Sequence, residues 1–272
     1  MNSKQKWLIG AAVLLVLVLT ATAFAWFAGN DSTTTSTPTT APTTSAPVAG
    51  QGNNGESGFA TPTADTFGRK IYVPNNPAGQ PLPQHDPGPR VECDPGQQPT
   101  AQGGMTIQRN FDMVMLYSET DGPTRIDGDL ARGYSHSPQG AALAAWNIWH
   151  RMREGGDVTK QVLLEQTVHD ADLQKKLESE PVPESGRTVE QKRSMTVPDG
   201  FRVLSCDDDF VVLEYAVRQI ADENGALREP RWIGMQWSML WRDGDWKMQT
   251  ANDSGKSGAV HTTLDGFTTW QF

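Results

Sequence analysis

The chain has 272 residues, 37% of them hydrophobic, and a formal net charge of -9 at pH 7. Lys4 and Lys6 cancel Asp31 and Glu56, so the whole surplus of negative charge falls after position 64. Phosphate backbones and anionic lipid surfaces repel such a body, and no basic stripe with interleaved aromatics offsets it, so nucleic acid is excluded as a partner.

Residues 1–30 read as a cytoplasmic tip followed by a transmembrane anchor. The run Leu8 to Ala28 carries no charge, and at about 1.5 Å per residue it reaches across the ~30 Å hydrocarbon core of a bilayer. Lys4 and Lys6 precede it, and no Lys or Arg follows until Arg69. That asymmetry puts the N-terminus in the cytoplasm and the remainder outside, as a single-pass protein of the cell membrane. Trp7 and Trp26 fall near the ends of the run, at headgroup level. The competing reading is a cleaved signal peptide ending near Ala21-Thr22-Ala23, whose apolar core would be shorter than this one. No Cys stands near the end of the run, which excludes a lipoprotein. Either way the remainder is exported.

Residues 31–64 form a Thr/Ser/Pro/Gly linker with too little apolar surface to offset the entropy of ordering, so it is expected to be a disordered tether. Residues 65–104 form a Pro-rich arm. Its Phe67 to Val73 stretch predicts a short strand, and PNNPAGQPLPQHDPGP then breaks regular structure. Phe67, Ile71, Tyr72, Val73 and Leu82 give this arm something to pack with, along its own domain or along a partner.

Residues 105–272 are expected to be one α+β domain. Phe111 to Tyr117 predicts a strand. Ser137-Pro138 is an N-cap followed by proline at the first helical position, and the helix it opens stops at Gly155-Gly156. Further helices are predicted over Thr159 to Val168 and Asp170 to Glu180, the latter ended by Pro181 and Pro183. After Pro198 the period becomes that of strands: Phe201 to Cys206, the long run Phe210 to Ile220, Trp232 to Trp241 and Trp246 to Thr250. Asp222-Glu223-Asn224-Gly225 and Asp243-Gly244-Asp245 supply the hairpin turns, the latter read as a turn and nothing more. Helices followed by a run of antiparallel strands is an α+β pattern.

Cys93 and Cys206 have neither C-x-x-C spacing nor proximity in sequence, which argues against a zinc or thioredoxin-like site. Outside the cytoplasm a disulfide between them is the natural reading, with two free thiols as the alternative. No metal, cofactor or catalytic residue is expected. No serine has a nucleophile-elbow context, and Ser135-His136-Ser137 reads as a helix cap. His150 and Glu154 share a helix face, read as an exposed pair rather than metal ligands. Asp127-Gly128-Asp129 and Asp207-Asp208-Asp209 lack the ligand pattern of a calcium loop. Trp146, Trp149, Trp237, Trp241 and Trp246, with Trp232, fall on elements expected to face one another. They make either a filled aromatic core or the lining of a cavity.

The helix pair, the long strands and WSMLWRDGDWKMQ resemble the nuclear transport factor 2-like fold, whose final hairpin often reads W-x-L-x-W-x-x-G-x-W. Trp237, Met239, Trp241, Gly244 and Trp246 match it, with methionine at the leucine position. The resemblance implies helices packed into the concave side of a curved antiparallel sheet, a cone. Some relatives of that fold are isomerases or dehydratases with a buried Asp, His or Tyr, for which Tyr215 and Asp112 are the candidates present. A second resemblance is carried by Gly122-Pro123-Thr124, Gly133-Tyr134, His136 and Ser137-Pro138-Gln139-Gly140-Ala141. These look like a group of uncharacterised actinobacterial membrane-anchored proteins, often encoded with integrative and conjugative elements. It implies a place in the envelope.

The expectation is thus a non-enzymatic, membrane-anchored interaction or scaffold module of a conjugation or secretion apparatus. Its partners would be the membrane, envelope or transfer-apparatus proteins, and further copies of itself in a homo-oligomer. The alternative is small-ligand binding or isomerase-like turnover in the cone.

Overall fold

Capping chemistry sets the helix starts, and cross-strand pairing sets most of the rest. The computed structural model describes residues 57–90, 93–101, 103–222, 225–250 and 258–272. The expected anchor (1–30) and most of the expected linker lie outside these residues. No helix among the described residues is long and apolar enough to cross a membrane. The architecture is α+β.

The first sheet is built from β1 (Phe59–Ala64), β2 (Lys70–Pro74), β3 (Thr106–Asn110) and β4 (Met113–Tyr117), paired in that order. β2 and β3 run parallel, and the other two pairs are antiparallel. Phe59–Ala64 was expected to be disordered linker and is strand, because Phe59 packs edge-on against Tyr72 with ring centroids 5.5 Å apart. Arg69 ties this hairpin to the rest of the chain. It pairs with Asp65 at 2.7 Å and Asp199 at 2.9 Å, and donates to the Val197 carbonyl at 2.8 Å. The single strand expected over Phe111 to Tyr117 is half of a hairpin instead. Phe111 (φ 47°) and Asp112 (φ 69°) form its two-residue turn, both at positive φ as a type I′ turn requires. The pair lacks the Asn-Gly signature, so the turn was hidden in the sequence.

The proline-rich stretch Ala78 to Leu82 is buried along this sheet. Proline offers no N–H for a regular ladder, and side-chain amides take its place. Gln108 Oε1 accepts from Gln80 N at 2.9 Å, and Gln108 Nε2 donates to the Gln80 carbonyl at 2.7 Å. Asn110 Nδ2 donates to the Ala78 carbonyl at 2.8 Å. Gly79 sits at φ 119°, and a Cβ there would collide with the Tyr117 hydroxyl.

The long helix α1 (Pro138–Arg151) begins as expected, with Ser137 Oγ accepting from Gly140 N at 3.0 Å and proline in its first turn. It is buried nearly all round, the signature of a core helix. Asn147 faces the free edge of β4 and behaves like a strand residue. Its Oδ1 accepts from Leu116 N at 2.9 Å, and its Nδ2 donates to the Leu116 carbonyl at 2.8 Å and to Tyr134 Oη at 3.0 Å. Asn147→Ala orphans a buried N–H and carbonyl and should cost about 2 kcal/mol. Urea midpoints check this, and a loss below about 0.5 kcal/mol would show that the edge is satisfied in another way.

The second sheet runs, in spatial order, through β15 (Thr268–Thr269), β8 (Gly200–Asp207), β9 (Phe210–Arg218), β12 (Trp232–Arg242), β13 (Asp245–Gln249) and β7 (Thr167–Val168), and β14 (Val260–His261) also pairs with β12. Between β9 and β12, β10 (Ala221–Asp222) and β11 (Gly225–Ala226) pair with each other. Trp237, Met239 and Trp241 share one face of β12, opposite Leu213, Val211 and Trp246 on the flanking strands. The other face buries Glu214, held by Arg202 at 2.5 Å, with Phe267 lying 4.7 Å from the guanidinium.

The second predicted helix starts earlier and ends sooner, as α2 (Gly156–Gln166). Thr167 and Val168 leave it to pair in parallel with Met248 and Gln249, where β-branched side chains suit a ladder. The third, α3 (Ala171–Ser179), is capped by Asp170. A fourth, α4 (Val189–Arg193), carries a Thr188/Gln191 capping box that was not read from the sequence.

Candidate functional site

Just before α1 the chain passes β5 (Arg125–Asp127) and β6 (Leu130–Arg132), a small hairpin. Around it converge the residues of the second resemblance. Gly122 precedes a cis Pro123, and a Cβ on Gly122 or Gly140 would press into the backbone of Gly133 or Ser135 respectively. This close packing draws Asp121 to the helix start. Asp121 is fully buried, and its Oδ1 accepts from Ser135 Oγ at 2.5 Å, from Ser137 Oγ at 3.0 Å and from Arg90 at 2.6 Å. Its Oδ2 takes the Thr120 hydroxyl at 2.7 Å. Arg90 also donates to Ser137 Oγ at 2.9 Å and to the Thr120 carbonyl. One carboxylate thus locks the Pro-rich arm, the β4–β5 connection and the helix N-terminus together.

Above this lock lies a groove. One part, of about 630 Å³, is lined by Arg90, Cys93, His136, Gln139, Asp207, Asp208 and Trp246, among others. An adjoining part of about 240 Å³ shares Arg90, Cys93, Pro138 and Gln139 and runs along Pro87, Asp94 and Gln97. Cys93, on its lining, forms a disulfide with Cys206 of β8, 113 positions further along the chain, with Cα atoms 6.1 Å apart. Gln98 reinforces the same wall: it accepts from Val203 N at 2.7 Å and donates to the Val203 carbonyl at 3.1 Å, beside the β8 bulge. His136 lies flat on Trp241, with ring centroids 4.2 Å apart, and reaches Asp209 at 3.1 Å and the Asp208 carbonyl at 2.7 Å.

Ser135, His136 and Ser137 therefore cap and brace; the hydroxyls turn to Asp121 and the imidazole to the β8–β9 turn, so no nucleophile–base pair forms. The five tryptophans divide into two groups. Trp146, Trp149 and Trp237 pack against one another and against Tyr215 with ring centroids between 4.8 and 6.2 Å apart. Trp241 and Trp246 meet edge to face beside His136. Of the five, Trp246 lines the groove described here. Tyr215 donates its hydroxyl to the Ala142 carbonyl at 2.5 Å, and burial pushes its pKa well above 10. Asp112 is far from this core residue's role: it occupies the β3–β4 turn and pairs with Arg193 at 2.8 Å. Asp245 is more than a turn residue. It is buried and accepts from the backbone N–H groups of Gly133, Tyr134 and Trp246, while burial raises its pKa.

His150 and Glu154 are not an exposed pair. Glu154 is buried and pairs with Lys192 at 2.6 Å. His150 is buried against Trp146, at 4.3 Å between ring centroids, and against Trp149. Burial first, then Arg153, Arg187 and Arg151, lower its pKa well below 6.5. The imidazole is neutral in the fold, whereas the unfolded chain protonates it below about pH 6.5. The unfolded state then binds more protons, so stability falls with pH below that point, by up to about 1.4 kcal/mol per unit. The prediction is that His150→Phe loses this component. Urea unfolding at pH 7, 6 and 5 should show the difference between wild type and variant shifting towards the variant as pH falls. A constant difference would contradict a neutral buried imidazole.

Arg90 and Asp121 escaped sequence reasoning, because only long-range packing reveals that the Asp121 carboxylate is buried. No curated protein and no solved structure matches the chain. A family model described as a domain of unknown function (DUF8175) matches residues 72–269, which take in β3, β4, the second sheet and every residue of the groove but leave out β1, and the chain belongs to that family.

Proposed function

We propose that this is a membrane-anchored, extracytoplasmic interaction module whose groove beside the α1 N-terminus holds part of a partner protein, and that its place is an envelope-spanning conjugation or secretion apparatus. The observation that carries the reading is the groove itself. Its two walls, one from the arm and one from β8, are joined covalently through Cys93 and Cys206, so the site is set before a partner arrives, which lowers the ordering cost of binding. A disulfide also agrees with an exported domain, as the charge asymmetry around Leu8 to Ala28 implies. The packing of α1 against the Trp237, Met239 and Trp241 face of β12 supports a nuclear transport factor 2-like arrangement for the second sheet and its helix. The tryptophans in that interior pack against one another in tilted and edge-to-face pairs, which favours a structural core over a catalytic cone.

The test is photo-crosslinking in cells of the full-length protein, with a benzophenone amino acid at exposed positions and mass spectrometry of the captured peptides. Recovery of one or two defined envelope proteins, lost on deletion of residues 105–272, is the expected result. Capture of nothing specific from any position would sink the reading.

A further inference from the structure

We propose that the groove takes a positively charged, extended segment of its protein partner; this rests on the interaction reading above. The charge on its walls carries the inference. Among the described residues that line its two parts, Arg90 is the single Lys or Arg, and it is already committed to Asp121 at 2.6 Å. That pair is internally neutral. Asp94, Asp207 and Asp208 also line the groove, are exposed, and are held by no ion pair among the described residues. Asp94 and Asp207 each accept one local backbone N–H, from Gly96 at 2.7 Å and Asp209 at 3.1 Å, which leaves the negative charge in place. Asp209, one residue beyond the lining, is the member of this turn whose carboxylate His136 engages, while Asp208 meets that ring through its backbone carbonyl alone.

Size argues for a chain segment. The larger part, about 630 Å³, is of the order of a ligand site rather than an ion site, and the smaller part continues it past Gln97 along the proline-rich wall. Asp94 follows Cys93 and Asp207-Asp208 follow Cys206, so the disulfide, with its Cα atoms 6.1 Å apart, holds the acidic residues of the two walls in one neighbourhood. Such a grouping of uncompensated carboxylates matches a segment that carries Lys or Arg side chains. Complementary charge of this kind sets register and association rate.

The experiment places the benzophenone amino acid at position 97, in the full-length protein in its own cells, and at position 189 on α4 as a comparison. Capture from position 97 is measured in the wild type, in Asp207→Asn/Asp208→Asn, and in Asp172→Asn/Glu178→Gln, which removes equal charge from exposed sites on α3. Thermal melts confirm that both double variants fold. The expected result is captured peptides rich in Lys and Arg, with a yield at least fivefold lower in the groove variant and within twofold of wild type in the α3 variant. Neutral or acidic captured peptides, an unchanged yield in the groove variant, or equal losses in both variants would overturn the proposal. If position 189 captures a defined envelope protein and position 97 captures nothing, the groove proposal fails while the interaction reading stands. Silence at both positions and at the other exposed positions ends both.

Discussion

Asp121→Ala should destabilise the domain by about 3 kcal/mol. The carboxylate is 1% exposed and collects three hydroxyls and a guanidinium. Removing one member of a buried pair typically costs 3–5 kcal/mol, because the other charge is left uncompensated. The Arg90 side chain is 27% exposed, so water re-solvates it in part and the lower end of that range applies. Ser135 and Thr120 lose their acceptor as well, while Ser137 keeps its cap on Gly140. Asp121→Asn retains an acceptor oxygen and should cost about half as much. Urea denaturation with an unchanged m-value is the measurement. A loss under 1 kcal/mol for alanine would show that the lock described here contributes little.

Cys93→Ala/Cys206→Ala should cost more, about 4 kcal/mol. The crosslink spans 113 residues, and in the chain-entropy account a closed loop of about 100 residues restricts the unfolded ensemble by roughly 4–5 kcal/mol. Strain and residual structure usually reduce such values, and the expectation is lowered accordingly. For a domain of this size the melting temperature should fall by about 10 °C. A second readout separates this global effect from a local one. Without the bond, residues 93–101 are held to β8 by Gln98 on Val203 and by the Thr268 hydroxyl on the Pro99 carbonyl. Hydrogen exchange should therefore rise first at this groove wall and only later in β9 and β12. Equal melting temperatures for wild type and double variant under oxidising conditions would refute the assignment.

Locally coded features were legible. Ser137-Pro138 announced α1 because a hydroxyl acceptor and a missing N–H both suit a helix start. The β-branched and aromatic runs Phe210 to Ile220 and Trp232 to Trp241 announced two long strands, which form over Phe210–Arg218 and Trp232–Arg242, and the Asp243-Gly244-Asp245 turn announced the return of the chain. Two cysteines in a chain read as exported suggested their own pairing. These signals need only neighbours within a few residues, so the order of residues contains them.

Polar groups that are buried by distant segments left no such trace. Asp245, Glu154 and His150 read as surface residues, since their types are usually exposed, and Asp121 was not singled out at all; each is enclosed by chain that arrives from far along the sequence. The same holds for β1, whose Thr and Pro content signalled disorder until β2 supplied a ladder and Tyr72 a ring to pack on. Amide side chains that stand in for strands, Gln98, Gln108, Asn110 and Asn147, are likewise defined by the backbone that they meet. The residue order alone specified helices, hairpins, an α+β class and an acidic exterior, because those follow from local conformational preference and summed charge. The groove and its charged walls came from the fold, since burial and proximity between residues a hundred positions apart are properties of the folded chain.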